Sequence, residues 1–142
     1  MKVKFKLLDP QVGKPSQGHI GDAAVDLQTR IAVSLAPGER RAVPTGLAVA
    51  IPSGHAGLVL PRSGHARRSG LGVVNGPGLI DSGYRGEIEV VLINHGDQTV
   101  TFAPGDRIAQ LTLVAVPSVI WEEAQELDET PRGEGGFGST GT

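Results

Sequence analysis

The feature that most constrains the fold of this chain is the way in which its apolar residues are divided. Glycine, proline and aspartate break them into eight short runs: residues 2–8, 31–35, 46–51, 57–60, 71–75, 87–94, 98–102 and 107–116. Runs of this length, rich in Val, Leu and Ile, are typical of β-strands. Only 3 Phe, 1 Tyr and 1 Trp are present, so aliphatic side chains must fill the core. The pattern predicts an all-β fold, either a β-barrel or a jelly roll.

One short segment and the C-terminus depart from this pattern. Only residues 63–69 have room for a helix, of about two turns. From Asp128 onward the chain has no Val, Leu, Ile or Met, and five of its last fifteen residues are Gly. Such a segment cannot bury itself. We therefore predict one β-barrel domain over residues 1–127, followed by a flexible glycine-rich C-terminal arm over residues 128–142.

Charge and cysteine content argue against several classes of function. The chain has 13 Lys and Arg against 15 Asp and Glu, a formal net charge of −2, which gives no general attraction to nucleic acid or to an anionic membrane. It has no Cys, which excludes disulfides and thiolate metal sites. No apolar run approaches the length of a signal segment or a membrane span. We expect a soluble cytoplasmic protein with neither a nucleic-acid nor a membrane partner.

The sequence Pro61-Arg62-Ser63-Gly64 is a candidate phosphate site. It follows a predicted strand and opens the short helix, so that free N–H groups, a guanidinium group and a hydroxyl can converge on phosphate oxygens. A plain helix N-cap explains these four residues equally well. The histidines, His19, His55, His65 and His95, are scattered without ligand spacing, and we assign them no metal.

Two acidic residues stand in settings that suggest chemistry. Asp26 is flanked by Val25 and Leu27, and a partly buried carboxylate there needs an Arg, backbone amides or hydrated Mg²⁺ as its partner. A capped turn would also explain it. Asp81 precedes Tyr84 at a glycine-flanked bend between two apolar runs. At such a bend the carboxylate could activate a water molecule while the ring lies beside a sugar or base. A plain, exposed Asp-Ser-Gly turn is the alternative.

The arm has the composition of a disordered end but contains residues suited to a ligand. Arg132, Phe137 and the hydroxyls of Ser139 and Thr140 lie among glycines whose N–H groups can approach an anion closely. These residue types predict a lid over a phosphorylated, planar ligand.

Taken in order and spacing, five segments resemble the five motifs of the trimeric dUTPase family. They are Ala24-Val25-Asp26-Leu27, Pro61-Arg62-Ser63-Gly64, Asn75 through Gly86, Gly105-Asp106-Arg107-Ile108-Ala109-Gln110-Leu111, and Arg132 through Ser139. The match covers nearly the whole chain, and five motifs in series are highly specific. The resemblance implies a jelly-roll-like fold, a homotrimer with shared active sites, and Mg²⁺-dependent hydrolysis of dUTP to dUMP and pyrophosphate. That reaction limits uracil in DNA and supplies dUMP for dTMP synthesis.

The resemblance also implies roles for the residues near the reacting atoms. Asp81 would be the catalytic carboxylate, which orients and deprotonates the water that attacks the α-phosphorus. Tyr84 would pack beneath the deoxyribose and leave no space for a 2'-hydroxyl. The uracil edge would be read by the side chain of Asn75 and by a backbone segment that includes Gly78, Leu79 and Ile80.

The phosphate chain and the cation complete the implied site. The phosphates would be held by Arg62, Ser63, Gly64 and Gln110. Asp26 would hydrogen-bond the waters of a Mg²⁺ ion that the triphosphate itself coordinates. From the arm, Arg132 would reach the γ-phosphate and Phe137 would stack on uracil, with Gly138 and Ser139 completing the substrate contacts.

Three positions depart from the pattern of the family: Ala24 stands where Gly is common, His65 where Leu is usual, and Glu89 where the residue is often basic or apolar. None of them touches the implied reacting groups. Two other interpretations stay open. A dCTP deaminase shares the fold but not the complete terminal motif, and a non-catalytic β-barrel binding or shell protein has no use for the combination of Asp81, Tyr84 and Phe137.

Overall fold

The computed structural model describes residues 1–136. This part of the chain contains ten β-strands and one α-helix, in the order β1 (Lys4–Leu7), β2 (Val25–Gln28), β3 (Val33–Leu35), β4 (Arg40–Ala50), β5 (His55–Leu60), α1 (Ser63–Ser69), β6 (Leu71–Val73), β7 (Gly78–Ile80), β8 (Glu87–Asn94), β9 (Val100–Phe102) and β10 (Arg107–Ala115). The all-β class and the helix over residues 63–69 are as predicted. Eight apolar runs were expected to form strands. The two further strands, β2 and β7, were not predicted, because they are short and contain polar or glycine residues that interrupt the apolar pattern.

The strands form two four-stranded sheets and one two-stranded sheet. The strand orders are β1-β4-β8-β6, β2-β10-β5-β7 and β3-β9, and all pairings are antiparallel. The arrangement confirms the predicted jelly-roll-like fold. Over residues 1–136 the sheets do not close into a single barrel, because β1, β6, β2 and β7 each have a hydrogen-bonded strand on one side only.

The core lies between the sheets and is almost entirely aliphatic. Along β8 the burial alternates, with Ile88, Val90 and Leu92 buried and Glu89 exposed, as the two-residue period of a strand requires. Phe102 is the aromatic residue of the buried cluster. Strand alternation therefore fixes which residues of each strand face the surface, where the functional side chains lie.

Helix α1 joins the two large sheets at the surface. Its N-cap residue, Arg62, has an extended backbone and no side-chain capping hydrogen bond, and none of its seven residues is buried. The helix ends at Gly70, whose φ of 67° is in the left-handed region that glycine adopts freely. Within the described residues, no helix has the length and apolar character of a membrane span.

Candidate functional site

A cavity of about 660 Å³ opens beside β2, β10 and the start of α1. Its lining is rich in polar and charged groups, and we call it the arginine cavity. The polar side chains that line it are His19, Asp22, Asp26, Arg62, Ser63, Arg68, Arg107, Gln110 and Thr112, with Gly64 beside them. The cavity thus contains every residue that the sequence assigned to phosphate and cation binding outside the arm.

Strand register explains how these residues meet. Asp26 of β2 lies opposite Gln110 of β10, and Gln110 lies opposite Leu60 of β5, so the three form one row across the sheet. The chain leaves β5 after Leu60 and carries Arg62 to the same corner. There the Gln110 side-chain amide donates a hydrogen bond to the Pro61 carbonyl oxygen at 3.0 Å. Three segments that are far apart in sequence are therefore joined by pairing within one sheet.

The carboxylate of Asp26 lies between two guanidinium groups. Its Oδ1 is 2.9 Å from Arg62 Nε and its Oδ2 is 3.3 Å from Arg107 Nη1, with 17% of the side chain exposed. Arginine is therefore the partner of Asp26, one of the three kinds predicted for it, and Asp26 lies within β2 and not in a capped turn. Arg107 was not singled out from the sequence, although the strand pairing of β10 with β2 brings it to Asp26.

The arginine cavity has the charge balance of an anion site. Arg62, Arg68 and Arg107 outnumber the carboxylates of Asp22 and Asp26. The Asp22 carboxylate also accepts a hydrogen bond from the backbone N–H of His19 at 2.7 Å. Because Arg62 is the N-cap residue, Ser63 does not cap α1. Its hydroxyl and the first backbone N–H groups of the turn are available to an oxyanion.

A second cavity, of about 300 Å³, lies where β7 turns into β8. We call it the hairpin cavity, and its lining includes Asn75, Gly78, Leu79, Ile80, Asp81 and Tyr84. The structure thus brings together all the residues outside the arm that were predicted to read the base and sugar. The Tyr84 backbone N–H donates to the Asp81 carbonyl oxygen at 3.1 Å, which closes the bend. Within residues 1–136 the exposed Asp81 carboxylate has no hydrogen-bonding partner.

The two cavities are separate in one chain and have no lining residue in common. Gly57 lies opposite Ile80 and Val59 opposite Gly78, so the antiparallel register places Asp81 next to Ala56. Arg62 follows Ala56 by six residues. At a rise of about 3.3 Å per residue, Asp81 and Arg62 are about 20 Å apart along β5. One chain therefore does not bring its own Asp81 to its own Arg62.

The described part of the arm contacts neither cavity. Arg132 is exposed, and its Nε donates to the Gly135 carbonyl oxygen at 2.9 Å within a local turn. Phe137, Gly138 and Ser139, which were predicted to bind substrate, lie outside the described residues. The segment before the arm, residues 116–127, contains no helix or strand.

Metal binding by side chains alone is not supported in the described part of the chain. No group of three His, Asp or Glu residues there is arranged to hold an ion. Mg²⁺ usually keeps several waters and binds through one or two carboxylates together with substrate phosphates. The Asp26 carboxylate, which lies between two arginines, fits a hydrated Mg²⁺ held through its waters beside a polyphosphate.

The positions that depart from the family pattern are accommodated locally. The ring of His65 stands edge-on to Phe102 with 5.2 Å between ring centroids. Its Nε2 lies 2.8 Å from the Arg107 carbonyl oxygen, so the polar ring is used where an apolar side chain is usual. Ala24 lines the arginine cavity and Glu89 the hairpin cavity.

Comparison with known proteins gives a consistent result. A family model described as dUTPase matches residues 12–141. The deoxyuridine 5'-triphosphate nucleotidohydrolase of Nocardia farcinica is 54% identical over 140 residues, which cover 98% of this chain and 85% of that protein. The protein of the same name from Anaeromyxobacter sp. is 55% identical over 132 residues, with coverages of 93% and 90%.

Two solved structures have the same fold. The dUTPase of Staphylococcus bacteriophage 80alpha with dUPNHPP has a TM-score of 0.92 at 28% identity, and the alignment covers 99% of each chain. A dUTPase variant from phage phi11 of S. aureus, in which a structural Mg(II) ion is coordinated, has a TM-score of 0.83 at 24% identity, with coverages of 91% and 100%.

Proposed function

We propose a mechanism for this chain from the premise that it belongs to the dUTPase family and hydrolyses dUTP to dUMP. Membership of this family argues against the two alternatives that the sequence left open, a dCTP deaminase and a non-catalytic binding protein. The observation that carries the mechanism is the division of the predicted site into two cavities about 20 Å apart along β5. A single dUTP needs both a nucleoside pocket with the acid and a polyphosphate pocket, so each active site combines the hairpin cavity of one copy with the arginine cavity of another.

In this mechanism Asp81 is the general base. Its exposed carboxylate accepts a proton from a water molecule as the water oxygen forms a bond to the α-phosphorus. The bond between the α-phosphorus and the oxygen that bridges to the β-phosphate breaks, and pyrophosphate leaves with that oxygen. The chain has no Cys, and the reaction needs no covalent nucleophile.

Charge neutralisation is supplied by the arginine cavity. Arg62, Ser63, Gly64 and Gln110 hold the phosphate chain through a guanidinium group, a hydroxyl, an amide and backbone N–H groups. Asp26 would hold a hydrated Mg²⁺ ion through its waters, beside the bound phosphates. Bound Mg²⁺ would neutralise negative charge on the phosphate oxygens and fix their orientation.

The hairpin cavity selects the nucleoside. Asn75 and the backbone of Gly78, Leu79 and Ile80 read the uracil edge. The Tyr84 ring lies against the deoxyribose and excludes a 2'-hydroxyl. The volume of about 300 Å³ is at the lower end of the range for small-molecule pockets, which supports a close fit around one nucleoside.

A homotrimer with shared sites is supported by uncovered apolar surface on the chain. A groove lined by Val3, Phe5, Val25, Leu111 and Leu113 opens between β1 and β10. In residues 116–127, Ile120 is 93% and Trp121 92% exposed. Apolar surface of this kind marks a contact with another protein chain, here a second copy.

The arm completes the site after substrate has bound. Residues 1–127 form the folded domain, and residues 128–142 form the arm that closes over a site on a neighbouring copy. Arg132 reaches the γ-phosphate, Phe137 stacks on uracil, and Gly138 and Ser139 add backbone and hydroxyl contacts. The reaction supplies dUMP for dTMP synthesis and keeps uracil out of DNA.

Pyrophosphate release from dUTP, dCTP, UTP and dTTP tests the mechanism. We expect dUTP to be turned over far faster than the other three nucleotides, and Asp81→Asn should lower its turnover by at least about 10²-fold, because the amide cannot accept the water's proton. Ser82→Ala, at the adjacent bend position, is the matched control. Near-parental turnover by Asp81→Asn would refute the assignment of the base.

A further inference from the structure

Glu87, the first residue of β8, is held by more contacts than strand pairing requires. Its Oε1 accepts hydrogen bonds from Arg30 Nε and from the Gly46 backbone N–H, both at 2.7 Å. Its Oε2 accepts one from Arg30 Nη2 at 3.0 Å. Bidentate pairing of this kind fixes the direction of a carboxylate as well as its position.

A bulge in β4 explains why the carboxylate is needed there. The β4–β8 register shifts between Pro44 and Ala48, which leaves Gly46 out of the regular ladder. Gly46 has a φ of 69° and is buried, so its N–H must find a partner other than water. Glu87 supplies that partner. Its hydrogen bond to Arg30 also raises the pKa of Arg30 above the usual value.

The same residue also holds Tyr84. The Tyr84 hydroxyl donates to the Glu87 backbone carbonyl oxygen at 2.8 Å. The ring bends back over Gly86, where an added Cβ would overlap the Tyr84 hydroxyl. Because 46% of Tyr84 is exposed, burial does not fix the ring. Its orientation depends on the hydroxyl contact with Glu87.

We propose that Arg30 and Glu87 are positioning residues for sugar discrimination, acting through the Tyr84 hydroxyl. This inference rests on the proposed function, in which the Tyr84 ring excludes the 2'-hydroxyl of a ribonucleotide. Arg30 and the β4 bulge fix Glu87, the Glu87 carbonyl oxygen fixes the hydroxyl, and the hydroxyl fixes the distance between ring and sugar. Loosening any of these contacts opens space for the 2'-hydroxyl without removing a group that touches the phosphates.

The test is the ratio of kcat/KM for dUTP to that for UTP. Arg30→Met, Glu87→Gln and Tyr84→Phe should each lower it by about three- to tenfold, the range expected for one hydrogen bond. For Arg30→Met and Glu87→Gln we expect kcat on dUTP to stay within about twofold, because the general base is untouched. The exposed Arg41→Met and Asp97→Asn, which remove the same charges elsewhere, should leave the ratio unchanged.

A double variant separates positioning from general destabilisation. If Glu87 acts through the Tyr84 hydroxyl, Glu87→Gln should lower the ratio no further once Tyr84→Phe is present. A ratio that falls by the product of the two single effects would overturn the proposal. If the Arg30 and Glu87 variants fail to fold, the exposed Tyr84→Phe is the remaining test. An unchanged dUTP-to-UTP ratio in that variant would also overturn the proposal. A parent protein that releases no pyrophosphate from dUTP would instead refute the proposed function.

Discussion

In the arginine cavity the carboxylate of Asp26 lies between Arg62 and Arg107. Replacing it by asparagine should tighten polyphosphate binding in the absence of Mg²⁺ and lower dUTP turnover in its presence. Without the cation, the carboxylate competes with phosphate oxygens for the same guanidinium groups. Asp26→Asn removes that competitor and one negative charge from the cavity, so a free polyphosphate should bind more tightly.

The magnitude follows from the contact. The Asp26 and Arg62 side chains are 17% and 25% exposed and their charged atoms are 2.9 Å apart, so solvent screens the pair only in part. A hydrogen bond between charged groups contributes about 1.5–3 kcal/mol. Asparagine keeps one oxygen acceptor, so we expect the low end of this range, which is roughly a tenfold decrease in the dissociation constant.

The assay is calorimetric titration of inorganic triphosphate into the protein in EDTA. Asp22→Asn is the matched control, because Asp22 lines the same cavity but bonds to the backbone of His19 and is not paired with an arginine. We expect the control to change the dissociation constant by about twofold at most. Unchanged or weaker binding by Asp26→Asn in EDTA would show that the ion pair does not compete with phosphate.

With Mg²⁺ present the same substitution should impair the reaction. Asparagine is a poorer acceptor for the polarised waters of the cation, so turnover of dUTP by Asp26→Asn at saturating Mg²⁺ should fall by at least about tenfold. Equal turnover in the parent and the variant, over a full Mg²⁺ titration, would remove Asp26 from the cation site.

Two further predictions concern the hairpin and the arm. Gly86→Ala should displace the Tyr84 ring and raise KM for dUTP by about tenfold, because the new Cβ overlaps the hydroxyl. Gly83→Ala, which meets no atom within 4 Å, should leave KM unchanged. An Asp81→Asn chain and a chain that ends at Thr130 should each be nearly inactive, yet refolding them together in equal amounts should restore roughly a quarter of parental pyrophosphate release. Mixed trimers, verified by mass, that recover nothing would refute the sharing of sites between copies.

Local patterns made much of the fold and site predictable. The alternation in β8 and the helix over residues 63–69 follow from residue spacing, and the five motifs carry the candidate residues in the right order. The structure then gathers Asp26, Arg62 and Gln110 into one cavity.

What local patterns missed depends on pairing between distant segments. Strand β2 holds an Asp in mid-strand, and only its register with β10 reveals both the strand and the contact of Asp26 with Arg107. The separation of Asp81 from Arg62 likewise depends on the pairing of β5 with β7. The bulge at Gly46 is set by tertiary contacts with Glu87 and Arg30, which no short window of sequence contains.

No side chain of helix α1 is fully buried, and the helix contacts the core through the half-buried His65 ring against Phe102. The corner of the molecule that carries Ser63 and Gly64 therefore depends less on the core for its stability than the strands do. Segments with few buried apolar contacts open at a fraction of the free energy of global unfolding. The amide hydrogens of α1 should therefore exchange with solvent while those of β8 stay protected, and hydrogen–deuterium exchange measured by mass spectrometry should show both rates. Inorganic triphosphate should slow the exchange in α1, because a ligand that binds α1 only when the helix is folded stabilises the folded helix. Substrate binding and the ordering of α1 would then be coupled. Equal protection of the α1 and β8 amides in the free protein would contradict this coupling.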